Sequence, residues 1–116
     1  FKRAPSVWTD ASKSKGYAGG GFVSACGRYD FWRYGSRAAR KAIDYLEGDT
    51  VVVACPRLAH LWRGCIVTIF CDNKAFQQSG AEGRSKAARL NELVKELFLL
   101  ISLYQKKYRG LSCKVD

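Results

Sequence analysis

The first third of the chain alternates short apolar runs, rich in aromatic and β-branched residues, with small clusters of glycine and polar residues. Runs of this kind read as strands and the clusters as turns. Ser6 to Ala11 is the first strand. Lys13 to Gly16 is polar, ends in glycine as a turn does, and feeds the second strand, Tyr17 to Cys26, whose Gly19-Gly20-Gly21 lets a neighbour approach the backbone closely. Gly27-Arg28 turns the chain into an aromatic third strand, Tyr29 to Tyr34, closed by Gly35. Three short strands joined by tight turns predict an antiparallel meander.

From Ser36 the pattern changes to one that opens a helix, with Ile43 and Leu46 three apart. Over Thr50 to Cys55 the local rules disagree. The β-branched density and the following Pro56 favour a strand, whereas Leu46, Val53, Leu58, Leu61 and Trp62 fit one helical face; propensity alone favours the strand. After Gly64, Cys65 to Cys71 is a nearly unbroken apolar run, which predicts a strand buried on both faces in the middle of a parallel sheet. Lys74 to Ser79 predicts a short helix and residues 80–84 a loop. Ser85 then caps a long helix with Leu90, Leu93, Val94, Leu97, Ile101, Tyr104 and Tyr108 at three- and four-residue spacing. Gly110 stops that helix, and Leu111 to Val115 begins a last strand. Trp8, Trp32 and Trp62 are expected in the core, and His60 reads as a structural histidine.

At 116 residues and 47% hydrophobic, the chain suits one domain over 1–116. Its longest apolar run, Leu97 to Tyr104, falls far short of the roughly 20 residues of a membrane helix, so no membrane partner is expected. With no methionine it reads as a piece of a longer polypeptide. Five widely spaced cysteines without a C-x-x-C pair argue against a zinc site or disulfide framework and for reduced thiols in a cytoplasmic or nuclear protein. The formal charge of +10 favours a polyanionic partner, nucleic acid above all.

Within this pattern, Asp10 follows Val7-Trp8-Thr9, and Asp72 follows the apolar run that ends at Cys71. A carboxylate where a strand enters the core is costly unless paired, protonated or bound to a metal. If the two strands are parallel neighbours, a right-handed crossover must connect them, and Glu47 lies in that crossover. Three hard oxygen donors suit Mg²⁺ or Mn²⁺. Ser12 and Asn73, beside two of the acids, are candidates for sugar or phosphate contacts. Lys13 and Lys15 are candidates for phosphate contacts, and Arg84 and Lys86, where the loop enters the long helix, for gripping nucleic acid by charge.

Thr9-Asp10-Ala11-Ser12, Gly16-Tyr17-Ala18-Gly19-Gly20, Ile43-Asp44-Tyr45-Leu46-Glu47 and Ile69-Phe70-Cys71-Asp72-Asn73-Lys74-Ala75, in that order, resemble the ribonuclease H domain of retroelement reverse transcriptases, of the DIRS-like group in particular. The resemblance covers nearly the whole chain, and four motifs in order are more specific than any one of them. It implies an α/β fold of the ribonuclease H-like type, with a five-stranded mixed sheet ordered 3-2-1-4-5, strands 1–3 antiparallel, flanked by helices. It also implies that Glu47 sits early in a crossover helix, overriding the strand over Thr50 to Cys55, with Pro56 bending or interrupting that helix. Asp10, Glu47 and Asp72 resemble the first three of the family's four metal-binding acids. The implied activity is cleavage of the RNA strand of an RNA–DNA hybrid with two Mg²⁺ or Mn²⁺ ions, beside an adjoining reverse transcriptase domain. The family's fourth acid follows the last strand, where this chain reaches Asp116; either Asp116 takes that role, a C-terminal segment has been cut away, or the second metal site is incomplete. The alternatives are a non-catalytic module of the same fold, binding nucleic acid or a polymerase domain, and an integrase-type or resolvase-type nuclease.

Overall fold

A computed structural model describes residues 4–71 and 88–116. Strands β1 (Ser6–Ser14), β2 (Tyr17–Ser24) and β3 (Tyr29–Arg33) come first, then helices α1 (Ser36–Ala39) and α2 (Ile43–Leu58). A 3-10 turn over Ala59–Leu61 leads to β4 (Ile66–Cys71), followed by helix α3 (Ala88–Lys107) and β5 (Ser112–Val115). The five strands form one sheet in the order β3-β2-β1-β4-β5. β1–β2 and β2–β3 are antiparallel, β1–β4 and β4–β5 parallel. This is the expected mixed sheet, with the strand bearing Asp10 at its centre.

Turn chemistry fixes the meander. Gly16 and Gly27 adopt positive φ at the two hairpin turns, a region closed to most side chains. Strand β1 runs three residues past its predicted end at Ala11, so its turn is confined to Lys15 and Gly16.

Helix α2 carries the crossover, so the strand that propensity favours over Thr50–Cys55 does not form. The reason is tertiary. Leu46, Thr50, Val51, Val52, Ala54, Cys55 and Leu58 are all buried, because α2 lies against the sheet on one side and α3 on the other. Packing on that scale outweighs the few tenths of a kcal/mol by which β-branched residues disfavour a helix. Pro56 lies inside α2, and the helix continues to Leu58 before tightening into the 3-10 turn.

Two apolar expectations are corrected. β4 is buried on one face only: Val67, Ile69 and Cys71 are buried, while Ile66 and Phe70 are exposed. Its apolar run reflects two different surroundings rather than two covered faces. Trp62 is buried and Trp32 packs against the core, but Trp8 is 51% exposed and stacks on Phe70, their ring centroids 5.8 Å apart. The predicted helix over Lys74–Ser79, the loop after it and the Ser85 cap lie outside the described residues. In α3, Leu93, Val94 and Leu97 are buried as the spacing predicts, and Gly110 has positive φ just beyond the helix.

Candidate active site

Alternation along β1 turns Val7, Thr9 and Ala11 inward and leaves Trp8, Asp10 and Ser12 on the opposite, exposed face. Val7 belongs to the core formed with α2, and Ala11 packs with Leu46 and Ala18. Asp10 is therefore solvated, which corrects the expectation of an acid inside the core and removes its desolvation cost. Its Oδ1 accepts a hydrogen bond from the Ala11 N–H at 3.0 Å.

Asp10 pairs with Gly21 of β2 and stands one residue beyond the last parallel pair of β1 with β4, Thr9 with Cys71. The Thr9 hydroxyl donates to the Phe70 carbonyl at 3.2 Å, tying the two strands together immediately before the acid. Glu47 is half-buried in the early turns of α2, next to the fully buried Leu46. The Cys71 thiol lies 3.9 Å from the Glu47 carbonyl oxygen. Asp72, the third predicted acid, lies outside the described residues, as do Asn73, Arg84 and Lys86. The residues flanking the acids nevertheless meet: Thr9 pairs with Cys71, the Cys71 thiol touches the Glu47 backbone, and Ala11 packs with Leu46. All of these contacts gather at the carboxyl end of β4. No group of three His, Cys, Asp or Glu side chains converges among the described residues.

Asp116 continues the β5 ladder. Its N–H donates to Ile69 O at 2.7 Å and its carbonyl accepts from Cys71 N–H at 3.0 Å, so it reaches the same edge of the sheet. Lys13 and Lys15 are exposed around the β1–β2 turn. With Ser36 and Arg40 they border a shallow depression of about 430 Å³, and Lys13 Nζ also donates to the Lys41 carbonyl at 2.6 Å. His60 is exposed on the 3-10 turn.

Behind Glu47 lies a polar cluster that reading the sequence for acids missed. Thr50 Oγ1, fully buried, donates to the Leu46 carbonyl at 2.7 Å and is 3.0 Å from Tyr34 Oη. Burial pushes the Tyr34 hydroxyl up to about 12, against the opposing effect of the Thr50 hydrogen bond. Burial also raises the Asp49 carboxyl above its ordinary value, while a hydrogen bond with Tyr34 acts the other way. Thr50 is the available signal, being a polar residue at a helix position that faces the sheet.

No family model matches the sequence, and no curated protein matches it. Solved structures do share its fold. Ribonuclease H1 of the halophilic archaeon Halobacterium salinarum superposes with a TM-score of 0.73 at 14% identity, over 97% of this chain and 83% of that one. The N-terminal ribonuclease H domain of a Mycobacterium tuberculosis protein gives 0.71 at 16% identity, over 97% and 84%. A compost-derived ribonuclease H1, solved in complex with an RNA/DNA hybrid, gives 0.67 at 16% identity, over 97% and 83%. The likeness is one of fold, and the sheet order 3-2-1-4-5 with strands 1–3 antiparallel matches it.

Proposed function

We propose that this chain, whose fold is that of ribonuclease H, is a metal-dependent endonuclease that hydrolyses the RNA strand of RNA–DNA hybrids within a retroelement reverse transcriptase polyprotein. The observation that carries the reading is the meeting of Thr9, Ala11, Leu46 and Cys71, the sequence neighbours of Asp10, Glu47 and Asp72, at one end of β4. A fold shared with a protein solved on an RNA/DNA hybrid supports the substrate class. The formal charge of +10 supports a polyanionic one.

Asp10, Glu47 and Asp72 would hold the metal, and their donor set fits it: carboxylate oxygens, with no thiol or imidazole required, suit Mg²⁺ or Mn²⁺. Two such ions, when bound, activate a water, align the scissile phosphate and stabilise the leaving 3′-oxygen. The chain's own part is positional. The Thr9–Phe70 hydrogen bond and the Leu46–Ala11 packing hold β1, β4 and α2, the elements that would present these acids, in fixed relation. Ser12 and Lys13 follow Asp10 on β1, with Lys15 in the turn beyond, where they can meet the sugar–phosphate backbone. Asn73, Arg84 and Lys86 complete the proposed contacts.

The test is Mg²⁺-dependent cleavage of a labelled hybrid by the wild type and by Asp10→Asn, Glu47→Gln and Asp72→Asn. Each substitution removes a metal ligand and is expected to lower kcat about 100-fold or more, roughly 3 kcal/mol on the barrier, with the fold intact. Unchanged cleavage by Asp10→Asn refutes the assignment.

A further inference from the structure

A chain of two hydroxyls runs from the end of β3 to the peptide unit that joins Leu46 to Glu47. Thr50, fully buried, has a single hydroxyl proton, and its Oγ1 gives it to the Leu46 carbonyl at 2.7 Å. In the 3.0 Å contact between Thr50 Oγ1 and Tyr34 Oη, Tyr34 must therefore be the donor. Tyr34 is itself tied to β2, its N–H donating to the Ala18 carbonyl at 2.8 Å. Its ring stands edge-on to Trp32, 6.4 Å between centroids.

The hydroxyl chain meets the sheet on the row beside Asp10. Thr50 sits on Gly20, where a Cβ would fall 2.5 Å from its Oγ1. Gly20 pairs with Ala11 of β1, and Ala11 follows Asp10 and packs with Leu46. The same row thus supports the Leu46–Glu47 peptide through Thr50 and contains the neighbour of Asp10. A threonine hydroxyl bonded to the carbonyl four residues back tilts that carbonyl and bends the helix, and donation from a second hydroxyl strengthens the bond. The first turns of α2 take their seat on the sheet from Thr50, and Thr50 is held in place by Tyr34.

We infer that Tyr34 is a positioning residue for the metal site: acting through Thr50, it sets the depth at which the backbone of Glu47 sits over β1, the strand of Asp10. Tyr34 itself touches neither metal nor substrate. The inference rests on the proposed nuclease reading for the role of the two acids, and deepens it by naming what holds one of them in register with the other. Spacing of this kind matters most for a small ion such as Mg²⁺, which demands near-ideal octahedral geometry. Groups that orient metal ligands from behind commonly alter metal affinity 10- to 100-fold when removed.

The experiment compares the wild type with Tyr34→Phe, Thr50→Val, Thr50→Ser and Glu47→Gln. Tyr34→Phe keeps the ring and leaves Thr50 its own bond to Leu46, so no Thr50 proton is stranded. Amide hydrogen exchange is measured in EDTA, and Mn²⁺ binding by calorimetry without nucleic acid. Tyr34→Phe and Thr50→Val are expected to speed exchange at Glu47 and Gly48 about tenfold while Val67 and Ile69 of β4 exchange as in the wild type. Both are expected to weaken Mn²⁺ binding about tenfold, and Thr50→Ser, which keeps the hydroxyl, to stay near the wild type in both measurements. Exchange that accelerates evenly over α2 and β4 is a loss of global stability and overturns the inference. Wild-type Mn²⁺ affinity in Tyr34→Phe overturns it as well. Glu47→Gln separates this result from the reading beneath it: Mn²⁺ binding that Glu47→Gln leaves unchanged refutes the metal assignment itself, whereas weakened binding there beside an unaffected Tyr34→Phe refutes the positioning role alone.

Discussion

Asp49 shows how a residue next to the proposed site stores a pH dependence. It sits in α2 with its carboxyl partly withdrawn from water near Tyr34, so its neutral form is favoured in the folded chain and its pKa lies above the ordinary 3.8. Between those two values the folded state binds more protons than the unfolded one. The slope of stability with pH is therefore negative there, and a contribution present at low pH is lost as pH rises through the raised value. Urea midpoints of the wild type are thus expected to fall relative to those of Asp49→Asn as pH rises above the ordinary 3.8; parallel curves count against this account. The thiols divide on similar grounds. Burial holds Cys55 high and Cys113 at about 12, whereas the exposed Cys26, hydrogen-bonded to Ser24, is lowered.

At the level of elements, the contact that seats α2 on the meander is between Gly20 and Thr50. A Cβ on Gly20 would lie 2.5 Å from Thr50 Oγ1 and 3.2 Å from the Trp32 side chain. Both neighbours are confined, Thr50 by its hydrogen bonds to Leu46 and Tyr34 and Trp32 by the Arg57 guanidinium 4.8 Å from its ring centroid. Arg57 also pairs with Asp30 across the same seam. Gly20→Ala is expected to destabilise the fold by about 1–3 kcal/mol, read as a lower thermal midpoint with the circular dichroism of the folded state retained. The same seam explains what the sequence could and could not convey. The meander was legible because its turns carry their own glycines, and α3 because its apolar residues recur at helical spacing. Thr50–Cys55 was not legible from propensity, since what makes it helical is the sheet and α3 around it, and only the motif order pointed the right way. The alternation in Tyr29-Asp30-Phe31-Trp32 carries aromatics on both faces of β3, so a reading by composition could not separate the core ring of Trp32 from the exposed ring of Phe31. Asp10 was found for a mistaken reason: its position beside β4 held, but its supposed burial did not.

For the molecule as a whole, the excess of twenty Lys and Arg over ten Asp and Glu acts over a long range. Association with a hybrid should release counterions and weaken steeply with salt. Hybrid binding measured in EDTA is expected to fall at least about tenfold between roughly 50 and 200 mM salt. Lys15→Ala is expected to flatten the log–log slope by about one, the signature of one phosphate contact. An unchanged slope would remove Lys15 from the interface. No helix among the described residues is long and apolar enough to cross a membrane.

The sheet order has a consequence for how the molecule comes to be made. Of the five strands β1 leaves the ribosome first, and its antiparallel partner β2, then β3 beside β2, follow at once through short turns. Its parallel partner β4 arrives only after the whole α2 crossover, with the Thr9–Phe70 bond spanning 61 positions. Until then the meander has a raw edge on the side where β4 will lie, and the chain must close its longest loop before the corner beside Asp10 exists. The strand at the centre of the sheet is the first of the five to be synthesised, yet it gains its second neighbour only when β4 arrives.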